Sequence, residues 1–141
     1  MAHLSRSLAS LRIAGDELIP EEISKLLGAQ ASHAQRKGQV LQSAQATRLA
    51  RFGHWRLQAA ETSPEDLDGQ VAELLNQLTS DLDVWRDLAS RYDIDLFCGW
   101  FMREGNEGVS ISPSTLQALG ERHIKLDLDI YAPEYGAEQG S

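Results

Sequence analysis

The sequence predicts an α+β fold: a ferredoxin-like duplicated βαβ sandwich with a mainly antiparallel sheet of five or six strands and three or four helices. Three observations lead there. A strand–turn–helix unit occurs twice, a long amphipathic stretch separates the copies, and a regularly alternating strand ends the pattern. In the first copy, Leu11-Arg12-Ile13 runs through Gly15-Asp16-Glu17 to Pro20, with Ile23 and Leu26 three and six positions later. Some ninety residues on, Leu96 to Met102 runs through Glu104-Gly105-Asn106-Glu107-Gly108 to Pro113, again with leucines three and six positions later. A sandwich built from two such units buries one face of the sheet under the helices.

Each element has a local reason. Residues 5–13 alternate, with Leu11 and Ile13 on one face and Arg12 on the other. Pro20 fits a first helical position, Glu21 and Glu22 suit the positive helix start, and Gly28 suits its end. Residues 29–45, rich in Ala, Gln, Ser and basic residues, read as a long mobile loop. Residues 46–52 and 54–60 read as a hairpin around Gly53 that turns Trp55 to the core. Ser63-Pro64 reads as a helix start. The apolar spacing from Leu67 to Tyr92 then admits one long helix or two meeting at Thr79-Ser80.

Residues 94–102 are apolar on both faces, which marks a central strand: Ile94, Leu96, Cys98, Trp100 and Met102 on one side, Phe97 and Phe101 on the other. A further helix starts near Ser112-Pro113 and stops around Gly120. Ile124, Leu126, Leu128 and Ile130 alternate with Lys125, Asp127, Asp129 and Tyr131, which predicts a half-buried antiparallel strand. Residues 1–132 thus form one domain, and 133–141 an acidic tail read as disordered.

At 141 residues, 42% hydrophobic and 24% charged, the chain is of ordinary globular composition. The net charge of −8 is unevenly spread. Residues 1–60 hold 8 Lys/Arg against 4 Asp/Glu, residues 61–95 hold 2 against 10, and residues 96–141 hold 3 against 7. An acidic whole disfavours nucleic acid as a partner. The basic run His33, Arg36, Lys37, Arg48, Arg51, His54 and Arg56 is expected to pair with the acidic 61–95 helix instead. Cys98 is the only cysteine, so no internal disulfide forms, and its apolar neighbours predict a buried, inert thiol. No stretch approaches a membrane span. The expected setting is the cytoplasm.

Taken together, four segments resemble a known family. They are Leu11 to Ile13 through Ile19-Pro20-Glu21-Glu22-Ile23 to Leu27-Gly28; Gly53-His54-Trp55-Arg56-Leu57; Leu96 to Phe101 with Asn106-Glu107-Gly108; and Leu126 to Tyr131. In this order they resemble an uncharacterised, mostly bacterial family, domain of unknown function 4279, over residues 8 to 132. The resemblance implies no activity and no catalytic residue.

Chemistry must therefore come from the residues themselves. If the first strands of the two units lie parallel and adjacent, the loops 14–19 and 103–111 share one edge. Asp16, Glu17, Glu104, Asn106 and Glu107 would then cluster, either as a hard-cation or small-molecule site in an enzyme, or simply as caps and turns. Asp127 and Asp129 share a strand face, as an acid–base pair or as a solvated edge. The four histidines lack metal-ligand spacing, and no phosphate loop or nucleophile motif is present. No cofactor and no metal is expected. The favoured reading is a non-enzymatic binding module of the bacterial cytoplasm. Its surface would be the 29–45 loop and the sheet side carrying Phe97, Phe101 and Tyr131, its partner another protein or a second copy.

Overall fold

The structure, a computed structural model, describes residues 6–133. The acidic tail predicted beyond lies, apart from Pro133, outside the described residues. Seven strands and four helices follow the order β1 (Arg6–Gly15), α1 (Pro20–Leu27), β2 (His33–Gln35), β3 (Val40–Gln42), β4 (Thr47–Leu49), β5 (Gly53–Gln58), α2 (Leu67–Asn76), α3 (Leu82–Arg91), β6 (Asp93–Phe101), α4 (Pro113–Glu121) and β7 (Lys125–Tyr131). Five strands make one mixed sheet in the order β2-β5-β1-β6-β7, and β3 and β4 form a separate hairpin.

The pairings revise two predicted orientations. β1 and β6 are neighbours but antiparallel, with Arg6 opposite Phe101 and Ala14 opposite Asp93. β7 runs parallel to β6, not antiparallel, because the connection through α4 carries the chain back to the end where β6 began. β5 pairs antiparallel with both β1 and β2, so β2 runs parallel to β1 with β5 inserted between them. In the same way β5 and β6 run parallel with β1 inserted.

The segment 29–60 also differs from its prediction. What read as a loop contains β2 and β3, and the hairpin joins residues 40–42 to 47–49 rather than centring on Gly53. Its turn carries no glycine or proline. Ser43 closes it, its N–H and hydroxyl both donating to the Ala46 carbonyl. Gly53 instead opens β5 opposite Gly15, where an added Cβ would lie 2.7 Å from the Gly15 carbonyl oxygen and 3.2 Å from Leu18.

Helix ends follow the expected chemistry with one exception. Gly28 ends α1 at φ 85°, donating to the Ser24 carbonyl, and Ser112 caps α4 by accepting from the Thr115 N–H. α2, however, begins only at Leu67. Ser63-Pro64 is a cis peptide in the preceding turn, and Asp66 is the cap, accepting from the Gly69 N–H at 3.0 Å. The amphipathic stretch is two helices, broken at 77–81, with Asp81 capping the second.

All four helices contribute to one core against one sheet face. Ala9, Leu11 and Ile13 of β1, Trp55 and Leu57 of β5, and Ile94, Leu96, Cys98 and Trp100 of β6 meet Ile23, Leu27, Val71, Leu74, Trp85, Leu88 and Leu119 from the helices. Each fully buried large side chain contributes about 1.5–3 kcal/mol. Trp55 faces this core as predicted, with its indole N–H donating to Ser24 Oγ at 3.0 Å. Cys98 is buried there too, and burial pushes its thiol up to about 12, so it stays protonated and inert. The core also holds a polar knot: Gln70, 1% exposed, accepts from Ser7 Oγ and donates to the carbonyls of Ser7 and Ala60.

The helix cover does not reach the end of β7. Ile124 is buried, but Leu128 and Ile130, predicted to point inward, are 42% and 53% exposed. No helix among the described residues is long and apolar enough to cross a membrane.

Candidate functional site

The carboxylate loops do not converge. Because β1 and β6 are antiparallel, the loop after β1 leaves one end of the sheet and the loop after β6 leaves the other, roughly 25 Å apart along eight strand residues. Asp16 and Glu17 are therefore remote from Glu104, Asn106 and Glu107. The local bonds are structural. Asp16 pairs with Lys37 at 3.1 Å, tying the β1–α1 turn to the chain after β2. Glu107 accepts from the N–H groups of Arg103 and Glu104, closing its own loop. Among the described residues no three His, Cys, Asp or Glu side chains are grouped as metal ligands would be.

The structure instead draws attention to the sheet face away from the helices. Alternation sends Arg6, Leu8, Ser10, Arg12 and Ala14 of β1 to this face, along with His54 and Arg56 of β5. β6 adds Asp93, Asp95, Phe97 and Phe101, and β7 adds Asp127, Asp129 and Tyr131, each in register with a neighbour of the same face. Phe97 and Phe101 are half-buried and Tyr131 is exposed. Phe101 stacks on Tyr131 with ring centres 4.7 Å apart, Arg6 lies over Phe101, and Arg12 lies over Phe97 at 4.4 Å. The three aromatic side chains thus share one face, roofed by guanidinium groups.

Arg12 is the hub of this face. Its Nε and one terminal nitrogen grip both Asp95 oxygens, at 2.8 and 2.5 Å, and Asp127 lies 3.9 Å away. Burial works to raise the Asp95 carboxyl, but the hydrogen bonds from Arg12 hold it below the ordinary range. Its neighbour Asp127 is pushed up, chiefly by its hydrogen bond to Asp95. The two signs oppose each other. A lowered Asp95 contributes stability that is present above the ordinary carboxylate range and lost as pH falls through its depressed value. A raised Asp127 instead disfavours the native state at neutral pH and relieves it on protonation. Chemical denaturation at several pH values is therefore expected to show Asp95→Asn destabilising at pH 7 and progressively less so below pH ~4, in the ordinary carboxylate range. Asp127→Asn is expected to be neutral or stabilising at pH 7. A pH-independent effect of Asp95→Asn would contradict this.

Beside Arg12 lies a cleft of about 270 Å³ lined by Arg12, Ala14, Phe52, His54, Arg56, Asp93 and Asp95. His54 Nε2 meets His33 Nδ1 at 2.7 Å, and the two rings stack. Burial, then the charges of His33 and Arg56, hold His54 below its ordinary range. The sequence predicts that His33, His54 and Arg56 belong to a basic run neutralised by the acidic 61–95 segment. The ion pairs of that run among the described residues go elsewhere. Arg36 and Lys37 pair with Glu21 and Asp16, while Asp83 and Asp87 pair with arginines of their own helix. The alternation His54-Trp55-Arg56 was a visible signal for the outward face, but only the insertion of β5 beside β1 brings it against Arg12.

A family model described as Domain of unknown function (DUF4279) matches residues 3–133, nearly the whole chain. The chain belongs to this family. No curated protein and no solved structure matches it. In this DUF4279 chain the open sheet face gathers polar and aromatic side chains from β1, β5, β6 and β7.

Proposed function

We propose that this DUF4279 domain is a non-enzymatic interaction module that receives an extended segment of a partner protein along the outer edge of β7. The observation that carries the reading is the state of that edge. β7 is seven residues long, contains no proline or glycine, and has no strand on its outer side among the described residues. Leu128 and Ile130 are exposed on its helix side, and Asp127, Asp129 and Tyr131 stand on the other. Such an edge offers an incoming strand a row of backbone hydrogen bonds. The side chains select the segment: apolar residues for one face, lysine or arginine for the other. Phe101 and Tyr131 frame the end of this groove, with Phe97 two rows further in, opposite Asp127.

A second copy of the chain fits less well. Antiparallel self-pairing that keeps the helix faces together sets Asp127 against Asp129 when centred on Leu128, and Asp129 against itself when centred there. Like charges directly opposite are destabilising. Centred on Asp127 it sets that residue against itself, offset by Lys125 facing Asp129, and this is the one of the three registers in which a second copy competes.

We also read the architecture as ferredoxin-like, supported by the order β2-β5-β1-β6 and its two interrupted parallel pairs; α4 and β7 then extend that core. The bacterial cytoplasm is the setting we propose, supported by the single, buried thiol.

The test is a titration with a fluorescent peptide alternating valine and lysine. It is expected to bind, to weaken steeply with salt, and to lose at least about tenfold affinity for the Asp127→Lys/Asp129→Lys variant, since each 1.4 kcal/mol is tenfold. The same peptide with glutamate for lysine is expected not to bind. Equal binding of both peptides, or no binding of either, overturns the reading. The protein alone is expected to sediment as a monomer at neutral pH. A dimer abolished by Leu128→Lys would instead favour the second copy.

A further inference from the structure

Beyond the β7 edge, a second site is set by one small side chain. Ala14 of β1 lies in register between His54 of β5 and Asp93 of β6, while the next row of the same face holds Arg56, Arg12 and Asp95. Long side chains thus surround a methyl group, and the cleft is the space they leave above it. Phe52, 47% exposed, closes the outer side, its ring 5.7 Å from that of His54. The Gln35 amide, buried and donating to the Phe52 carbonyl at 2.9 Å, fixes the backbone there. The wall is therefore held from below rather than free to collapse.

We propose that this cleft binds a small organic monoanion, one oxyanion group carried on an apolar or aromatic body. The charges specify the anion. Arg12 is already neutralised by its two-point grip on Asp95. Arg56 has no carboxylate partner among the described residues, and its Nε is buried with no hydrogen-bond partner. A buried, unmet guanidinium donor is costly, and because Arg56 lines the cleft, a turn of its side chain toward an oxyanion there satisfies the donor in the two-point geometry arginine favours. The Ala14 methyl and the Phe52 and His54 rings specify the body, since they offer apolar and stacking contact but few further polar groups. Size and charge set the limits. At about 270 Å³ the cleft lies at the small end of ligand sites. Asp93, two strand spacings across and one row along from Arg56, or roughly 12 Å, opposes any ligand with more than one negative charge.

The site and the β7 edge lie on different strands, so they can be tested apart. Backbone amide NMR shifts would be followed while benzoate, phenyl phosphate, inorganic phosphate or benzyl alcohol is titrated into the full chain. Benzoate is expected to give saturable shifts at Phe52, His54 and Ala14. Phenyl phosphate, doubly charged near neutrality, is expected to bind more weakly, and inorganic phosphate and benzyl alcohol at least tenfold more weakly than benzoate. Arg56→Gln is expected to weaken benzoate at least tenfold. Ala14→Leu, which fills the cleft on the solvent side of the sheet, is expected to abolish the shifts while leaving the melting temperature and the valine–lysine peptide titration unchanged. The proposal is overturned if benzoate gives no saturable shifts at these amides, or if Arg56→Gln and Ala14→Leu bind it as the parent does. It is equally overturned if inorganic phosphate binds as tightly as benzoate, because the apolar body would then contribute nothing.

Discussion

Replacing Trp55 with alanine is expected to lower the unfolding free energy by about 3–5 kcal/mol, among the largest single-residue effects in the chain. Trp55 is fully buried in β5 at the junction of β1, β2 and α1. Truncation opens a cavity bounded by a sheet whose register is fixed on both sides, so the site cannot close by a strand shift. It also leaves Ser24 Oγ without its indole donor. Urea unfolding followed by far-ultraviolet circular dichroism measures the loss independently of tryptophan fluorescence. Trp55→Phe separates the two contributions, keeping most of the packing and losing the hydrogen bond, worth about 1 kcal/mol. A loss below about 1 kcal/mol for the alanine variant would mean that Trp55 is not the wedge the packing makes it.

Gln70→Leu is expected to cost roughly 3 kcal/mol, although the new side chain is similar in size and more apolar. Gln70 is a buried side chain that joins α2 to both β1 and Ala60. Its amide donates to the Ser7 and Ala60 carbonyls, and its oxygen accepts from Ser7 Oγ. Leucine removes all three bonds at once. Ser7 Oγ keeps Thr62 Oγ1, and the Ser7 carbonyl keeps the Thr62 N–H, but the Ala60 carbonyl loses its side-chain donor. Gln58→Leu, on the exposed end of β5, is the matched control and is expected to stay within about 0.5 kcal/mol. Similar losses for the two variants would show that the buried network contributes no more than surface glutamine does.

These two residues also mark what the sequence could and could not convey. Trp55 was legible because it alternates with Arg56 and His54, and a period of two is a local property. The caps of α1 and α4 were legible for the same reason: proline, serine and glycine act within one turn. Gln70 was not, since nothing within four residues distinguishes a buried glutamine from a solvated one. Its partners lie 10 and 63 residues away. The helix start at Ser63-Pro64 was misplaced because Asp66 offers the same capping chemistry three residues later, and the local pattern does not choose between them.

The largest difference is one of direction. The two strand–turn–helix units were visible as a repeat, but a repeat does not say whether its copies run side by side or head to tail. Antiparallel pairing of β1 with β6 sent Asp16 and Glu107 to opposite ends of the molecule, and with that the converging carboxylate site disappeared. The cleft over Ala14 arose from the same kind of long-range fact. Arg12, Arg56 and Asp95 stand in one row only because strands far apart in sequence flank β1. Each residue was visible, and their adjacency was not.

That central position of β1 also carries a cost in time. The strand that every other part of the sheet builds upon is made early, yet its neighbours are β5, beginning at Gly53, and β6, ending at Phe101. At roughly 5–20 residues per second, a ribosome needs about 5–20 seconds after finishing β1 to produce the last residue that pairs with it. Until β5 is made, a strand carrying Leu11 and Ile13 waits with both hydrogen-bonding edges open, and until β6 is made one edge stays open. The nascent domain therefore has reason to engage a holdase, and the segment to look for on it is β1, Arg6–Gly15.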